Sequence, residues 1–158
     1  MKKIISILLI IVMILLTSCN ISESIKLDKR KKRERDKITK NVIECINNKD
    51  CENLKNMFCK KYQEDEKLEE DIYELFDYFD EEIVSYEDDG TYGTSETVVS
   101  DGKIVLDYDS TYVKNVTLGN KKYSLSIDIT WVDKDDEDME GVTGIGIRDK
   151  NKAIIFYI

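Results

Sequence analysis

The chain has 158 residues, 24 of them Lys or Arg and 33 Asp or Glu, for a formal charge of −9. That balance repels phosphates and argues against nucleic acid as a partner of the folded part. Histidine is absent, which removes the commonest neutral-pH general base, the commonest zinc ligand and every Ser-His or Cys-His nucleophile.

Met1-Lys2-Lys3 precedes an apolar run of 13 residues, Ile4 to Leu16. As a helix it would be about 20 Å long, short of the roughly 30 Å hydrocarbon core, so it reads as a secretory signal and not a span. It ends in Leu16-Thr17-Ser18-Cys19. Small residues directly before a cysteine make a lipobox, with cleavage between Ser18 and Cys19 and a palmitate-like lipid on Cys19. The competing reading is an uncleaved anchor with an incidental cysteine. Cleavage leaves 140 residues, room for one ordinary core, and takes Lys2 and Lys3 away, bringing the charge to −11. The expected layout is a lipoprotein signal over 1–18, a lipidated basic tether over 19–33 and one domain over 34–158. The protein is then anchored on the outer face of a Gram-positive cell membrane.

From Lys26 to Lys40 the chain is strongly basic, with Lys29-Arg30-Lys31-Lys32-Arg33 at its centre. Residues 20–28 read as a polar tether, with helix starting between 28 and 34. Beside a lipid anchor such a cluster attracts anionic headgroups, at about 1 kcal/mol per charge. An acyl chain plus a basic patch also makes anchoring stable. The plainer alternative is a solvated helix start in which Glu34 and Asp36 form intrahelical pairs. The acidic domain beyond is expected to stand off the same headgroups.

Ile38, Val42, Cys45 and Ile46 fall on one helical stripe. Asn47-Asn48-Lys49-Asp50 interrupts it, and Asp50 is placed to cap a second helix with Cys51, Leu54, Met57, Phe58 and Tyr62 on one face. A third helix is expected from about Glu64 to Glu81, with Leu68, Ile72, Leu75, Phe76 and Phe79 inward. Once Cys19 is lipidated, Cys45, Cys51 and Cys59 remain, so at most one disulfide forms among them, and their spacing fits no zinc site. Cys45 and Cys51 share the apolar stripes, as small core residues do. A Cys45–Cys51 or Cys51–Cys59 bridge is the alternative.

The second half reads as strands. Ile83 to Glu87 is a short one, ended by Asp88-Asp89-Gly90, and 90–102 is turn-rich. Lys103 to Thr117 is a long strand, with Ile104, Leu106, Tyr108 and Tyr112 assigned to one side and Asp107 and Asp109 to the other. Gly119-Asn120 fits a two-residue hairpin turn. In the next strand Tyr123, Leu125, Ile127, Ile129 and Trp131 alternate with Ser124, Ser126, Asp128 and Thr130, the pattern of a sheet buried on one face. An acidic loop over 133–140 leads to Val142–Arg148, then a turn at 149–151 and a last strand, Ala153 to Ile158. That strand is apolar on both faces, so an interior place is expected for it. Helices followed by strands define α+β. A curved antiparallel sheet wrapped around the helices would leave a cavity lined by Tyr108, Tyr112, Tyr123 and Trp131, either a ligand pocket or ordinary core.

Asn48-Lys49-Asp50 with Leu54 and Met57-Phe58, then Leu75-Phe76-Asp77-Tyr78-Phe79 and Ile83-Val84-Ser85-Tyr86-Glu87-Asp88, resembles a family of uncharacterised lipoproteins from clostridia and related gut bacteria. That resemblance covers most of residues 38–158. It implies an NTF2-like cone, with helices packed into a strongly bent antiparallel sheet, and brings no catalytic residues with it.

Asp133-Lys134-Asp135-Asp136-Glu137-Asp138 has acids at alternate positions but lacks the glycine of an EF-hand loop. It reads as a charged hairpin loop, with a loose calcium site as the alternative. Asp107, Asp109 and Asp128 are expected on one face of neighbouring strands, where a carboxylate pair could serve acid–base chemistry, though their assigned side of the strand puts them in water and a chain this rich in acids pairs some by coincidence. The chain therefore reads as a binding or interaction module for an unknown small molecule, peptide or envelope protein. It is expected to use no cofactor or metal and to form a homodimer through its sheet in one version. The alternatives are a carboxylate-dependent hydrolase on the same scaffold and a structural envelope component.

Overall fold

The computed structural model describes residues 2–79, 81–87, 92–119, 121–149 and 153–158, with side chains from Ser24 onward except Tyr92 and Leu118. The expected turns at Asp88-Asp89-Gly90 and 149–151, and Asn120 of the hairpin, lie wholly or partly outside these residues, as do the lipobox side chains.

The first helix, α1, runs unbroken from Lys2 to Asn48. It passes through the segment expected to be a polar tether, because residues 2–48 contain neither glycine nor proline to interrupt it. Its end is set by Lys49 in the left-handed conformation (φ 54°). The amide of Lys49 donates to the Ile46 carbonyl at 3.2 Å and that of Asp50 to the Cys45 carbonyl at 2.9 Å, the paired bonds of a Schellman stop. The Lys49 ammonium continues to the carbonyls of Phe76 and Phe79, which ties this corner to the end of the last helix.

Asp50 does cap α2 (Cys51–Lys55), accepting from the Asn53 amide at 3.1 Å. The long second helix expected beyond it is cut short. Phe58 forms a parallel bridge to Val142, with the Cys59 amide donating to the Val142 carbonyl at 2.9 Å and the Val142 amide to the Met57 carbonyl at 3.2 Å. These sheet bonds take the backbone groups that another helical turn would need, and helix resumes only as α3 (Lys60–Gln63). The third expected helix is present as α4 (Leu68–Tyr78), with Leu68, Ile72, Leu75 and Phe76 buried and Phe79 just past its end.

Six antiparallel strands form one open sheet: β1 (Ser85–Glu87), β2 (Tyr92–Ser100), β3 (Lys103–Leu118), β4 (Lys121–Asp133), β5 (Gly141–Arg148) and β6 (Ile154–Tyr157). The order is β1-β3-β4-β5-β6, and β2 lies beside β1 along the same edge of the long β3. The protein is thus α+β. The stretch expected to be turn-rich is the nine-residue strand β2. Its Thr, Val and Ser content suits a pleated strand, and Asp101-Gly102, with φ of 49° and 74°, makes the tight turn into β3. The last strand departs from expectation as well. It is an edge strand, with Ile154, Ile155 and Tyr157 exposed; apolar character on both faces did not place it inside.

The inner face of the sheet packs on the helices. Cross-strand pairs Leu125↔Ile147, Ile127↔Ile145 and Ile129↔Val142 are fully buried against Val42, Ile46, Leu54, Ile72, Leu75 and Phe79. Each large aliphatic side chain placed there contributes about 1.5–3 kcal/mol of burial. The inward side expected for β4 is buried over this stretch, but Ser126 and Thr130 on the side expected to be wet are buried as well.

Candidate functional site

On β3 the faces are the reverse of those expected. Asp107, Asp109 and Thr111 point inward toward α1 and are 3%, 2% and 0% exposed. The cause lies on α1, where Lys31, Arg35 and Thr39 recur every fourth residue on the side turned to the sheet. Four helical residues rise about 6 Å, and two strand residues about 6.7 Å. The two polar ladders therefore keep step. Lys31 Nζ lies 2.6 Å from Asp107 Oδ1 and 2.8 Å from Asp109 Oδ2; Arg35 Nη2 is also 2.8 Å from Asp109 Oδ2. Thr97 of β2 donates its hydroxyl to Asp107 Oδ2 at 2.9 Å. Burial pulls the Lys31 pKa down, but the two carboxylates more than offset it, and the ammonium is held above its ordinary value.

Two cations facing two carboxylates leave this seam electrically balanced. It is not fully satisfied, however. Asp109 Oδ1, the hydroxyls of Thr39 and Thr111, and the indole N–H of Trp131 are buried with no hydrogen-bond partner among the described residues. Trp131 adjoins the seam, with the Arg35 guanidinium 5.7 Å over its ring, while Arg30 donates to its carbonyl at 2.7 Å. Two clefts open on either flank of α1 here. One, of about 370 Å³, is lined by Asp28, Lys31, Lys32, Arg35, Ser95 and Asp109. The other, of about 310 Å³, includes Leu27, Arg30, Ile104 and Trp131.

The structure does not bring the four expected pocket residues together. Trp131 is on the inner face beside Arg35, and Tyr123 packs on Tyr78 of α4 with ring centroids 5.8 Å apart. Tyr108 and Tyr112 are on the outer face. There Tyr108 donates to Glu96 at 3.2 Å, and the Arg148 guanidinium lies 5.4 Å over the Tyr112 ring. Also on that face, Asp128 accepts from Ser110 and, at 2.7 Å, from Tyr157. Tyr157 crosses over β5 where Gly144 leaves room: a Cβ there would come within 2.0 Å of the Tyr157 hydroxyl. Burial, then the bond to Asp128, raises the Tyr157 pKa. The three acids once grouped as a catalytic candidate are thus split, Asp107 and Asp109 inside and Asp128 outside.

One further expectation changes. Residues 19–33 are not all tether, since Leu27 packs on the core edge and Arg30 and Lys31 dock on the sheet. Cys45, Cys51 and Cys59 are free thiols, two of them buried, and burial raises the Cys45 pKa. In the acidic loop, Asp136 and Asp138 pair with Lys61 and Lys60 of α3 at 2.7 and 3.3 Å, and no acidic or cysteine cluster suited to a metal occurs among the described residues. Nor is any described helix long and apolar enough to cross a membrane.

Helices on one face of an open antiparallel sheet, joined by a buried charged seam, define a small α+β domain with its polar interior at one end. The chain belongs to the family DUF5104, a domain of unknown function, whose pattern matches residues 41–151. Asp107, Asp109, Thr111 and Trp131 lie within the matched span, whereas Lys31, Arg35 and Thr39 precede it. No curated protein matches the chain.

Proposed function

We propose that the protein is a lipid-anchored extracytoplasmic binding module with an NTF2-like cone, its ligand site at the seam between α1 and β3. The observation that carries the anchor is Leu16-Thr17-Ser18-Cys19 at the end of a 13-residue apolar run. Binding is supported by the cleft that reaches Arg35 and Asp109 and by Asp109 Oδ1, a buried atom of its wall that lacks a partner among the described residues. Such atoms each cost about 1–3 kcal/mol unless a ligand or water completes them. Hydrolysis is the weaker reading for this seam, because both carboxylates are buried against cations and the third candidate acid, Asp128, lies on the other face of the sheet. A small polar molecule with a donor group fits a cleft that offers an acceptor at Asp109, with the Thr111 hydroxyl, unpartnered among the described residues, next along the same face of the strand.

Trp131 reports on the site through Arg35, which lines the cleft and lies over its ring. Titration of the intact protein with pooled polar metabolites, followed by indole emission, is expected to give a saturable shift that Thr111→Val weakens at least tenfold. Emission unchanged across such pools, or turnover of the bound compound, overturns the binding assignment. Cys19→Ala tests the anchor separately: its full retention in the membrane fraction would leave lipidation without a role.

A further inference from the structure

Lys26, Lys29, Arg33, Lys37 and Lys40 recur at i, i+3, i+7, i+11 and i+14, which sets them along one stripe of α1. Arg35, Thr39, Val42 and Ile46, buried against the sheet, lie on the opposite side of the same helix. All five stripe residues are exposed. Lys26, Lys29 and Lys37 have no ion pair among the described residues. Arg33 holds only its neighbour Glu34, with 77% of its own side chain exposed, and Lys40 lies 3.6 Å from Glu44. Solvated helix faces ordinarily mix charge signs, and acids outnumber bases in this chain by 33 to 24. Here Glu34, paired to Arg33, and Asp36 flank the stripe, and Glu44 ends it. Of the other cations of the basic run, Arg30, Lys31 and Arg35 are spent on the sheet, and Lys32 lines the cleft beside Asp109. The helix thus sorts one basic cluster into an inward set that holds the fold and an outward set with no use inside it.

The stripe is about 21 Å long, and Lys26 follows Cys19 by seven residues, about 10 Å along the helix. We infer that it lays α1 flat along an anionic membrane surface, so that the sheet lies behind the helix and Tyr108, Asp128 and Tyr157 on its outer face look away from the bilayer. This rests on the lipid-anchor reading, and it replaces a domain standing off the membrane by one lying against it. Anionic phospholipid headgroups are the occupant, because the surface that the lipid would reach is the one these five charges share. The geometry also asks for length along the helix and not for a groove, which suits a planar charged surface.

The test uses the mature protein purified from membranes. Intact mass comes first: an acylated chain starting at Cys19 supports the anchor, and a chain retaining residues 1–18 overturns the anchor reading whatever the stripe does. The protein is then reconstituted into vesicles of phosphatidylcholine, alone or with phosphatidylglycerol, and its lysines are labelled with a water-soluble amine reagent. Lys26, Lys29 and Lys37 are expected to be protected about threefold or more on the anionic vesicles, and the protection should vanish near 1 M salt, where screening shortens to about 3 Å. Lys60 and Lys122 should label alike on both. Lys29→Glu with Lys37→Glu is expected to remove the protection of Lys26 while leaving Trp131 emission unchanged, which keeps a folding defect apart from a docking defect. An acylated chain whose stripe lysines label equally on both vesicles overturns the inference alone. Stronger protection by duplex DNA than by the anionic vesicles overturns it in favour of a nucleic-acid surface.

Discussion

Arg35 of α1 and Asp109 of β3 meet at 2.8 Å with their side chains 5% and 3% exposed, a charge pair that joins the first helix to the longest strand across 74 residues of sequence. Lys31 shares the same carboxylate oxygen at 2.8 Å. Removing one partner of such a pair strands a buried charge, whereas removing both as a unit does not. Arg35→Met is therefore expected to destabilise the domain by about 3–5 kcal/mol, a large part of an ordinary domain's total stability. Arg35→Met with Asp109→Leu should recover most of it. Urea denaturation of the two variants checks this: equal losses in both would mean that the seam stabilises through packing and not through charge.

The same seam sets a pH dependence at the alkaline end. Lys31 is pulled down by burial and raised further by Asp107 and Asp109, ending above its ordinary 10.5. A folded-state pKa above the unfolded one means stability that is complete below the unfolded value and lost as pH climbs through the folded one. Tyr157, raised from 10.0 by burial and by Asp128, acts in the same direction. The urea midpoint should hold steady up to about pH 10 and then fall, with a shallower fall in Lys31→Met and in Tyr157→Phe. At the acid end, Asp50 is lowered below 3.8 by its bonds to Asn53, so its cap is lost only as pH drops beneath that value.

The buried faces of α4 and β4 were legible because each is apolar at a single period, and every residue on them points where the period says. On β3 that reading inverts. Ile104, Leu106, Tyr108 and Tyr112 look like a core face next to Asp107 and Asp109, and polarity alone sends the acids outward. What reverses the strand is a ladder more than 70 residues earlier, Lys31, Arg35 and Thr39, whose four-residue spacing on a helix matches the two-residue spacing on the strand. That match is written in the sequence, but it acts only once helix and strand are known to be neighbours. Phe58 stopped α2 for a similar reason: its bridge to Val142 is a tertiary contact that no local helical preference foretells. β6 misled in another way. Two apolar faces describe an interior strand and an unblunted edge equally well.

Asp101-Gly102 was a signal of a different kind, local and readable, that β2 was there to be found. Both residues have positive φ, 49° and 74°, as the first turn of a twisted hairpin requires. An alanine at Gly102 must hold a left-handed backbone, which costs about 1–2 kcal/mol. Gly102→Ala should lower the melting temperature by a corresponding few degrees, while Asp101→Asn, a residue that tolerates this region, should leave it nearly unchanged. If Gly102→Ala melts with the parent protein, the turn is not built this way.

The outer edge of β6 makes the last prediction. Ile154, Ile155 and Tyr157 are 55%, 41% and 52% exposed, and Ile154–Tyr157 contains no charge. An edge strand with free backbone groups and an apolar surface pairs readily with another strand unless a charge or proline blocks it. Two copies meeting there antiparallel would extend the sheet across a two-fold axis, which is the closed arrangement that a like-to-like edge allows. Sedimentation across a range of concentrations should therefore show a monomer–dimer equilibrium, and Ile154→Lys should abolish it. Because the position is more than half exposed, the monomer's own stability should change by less than about 0.5 kcal/mol. Dimers that survive Ile154→Lys would place the contact elsewhere on the sheet, with the outer face around Tyr108 and Asp128 the next surface to vary.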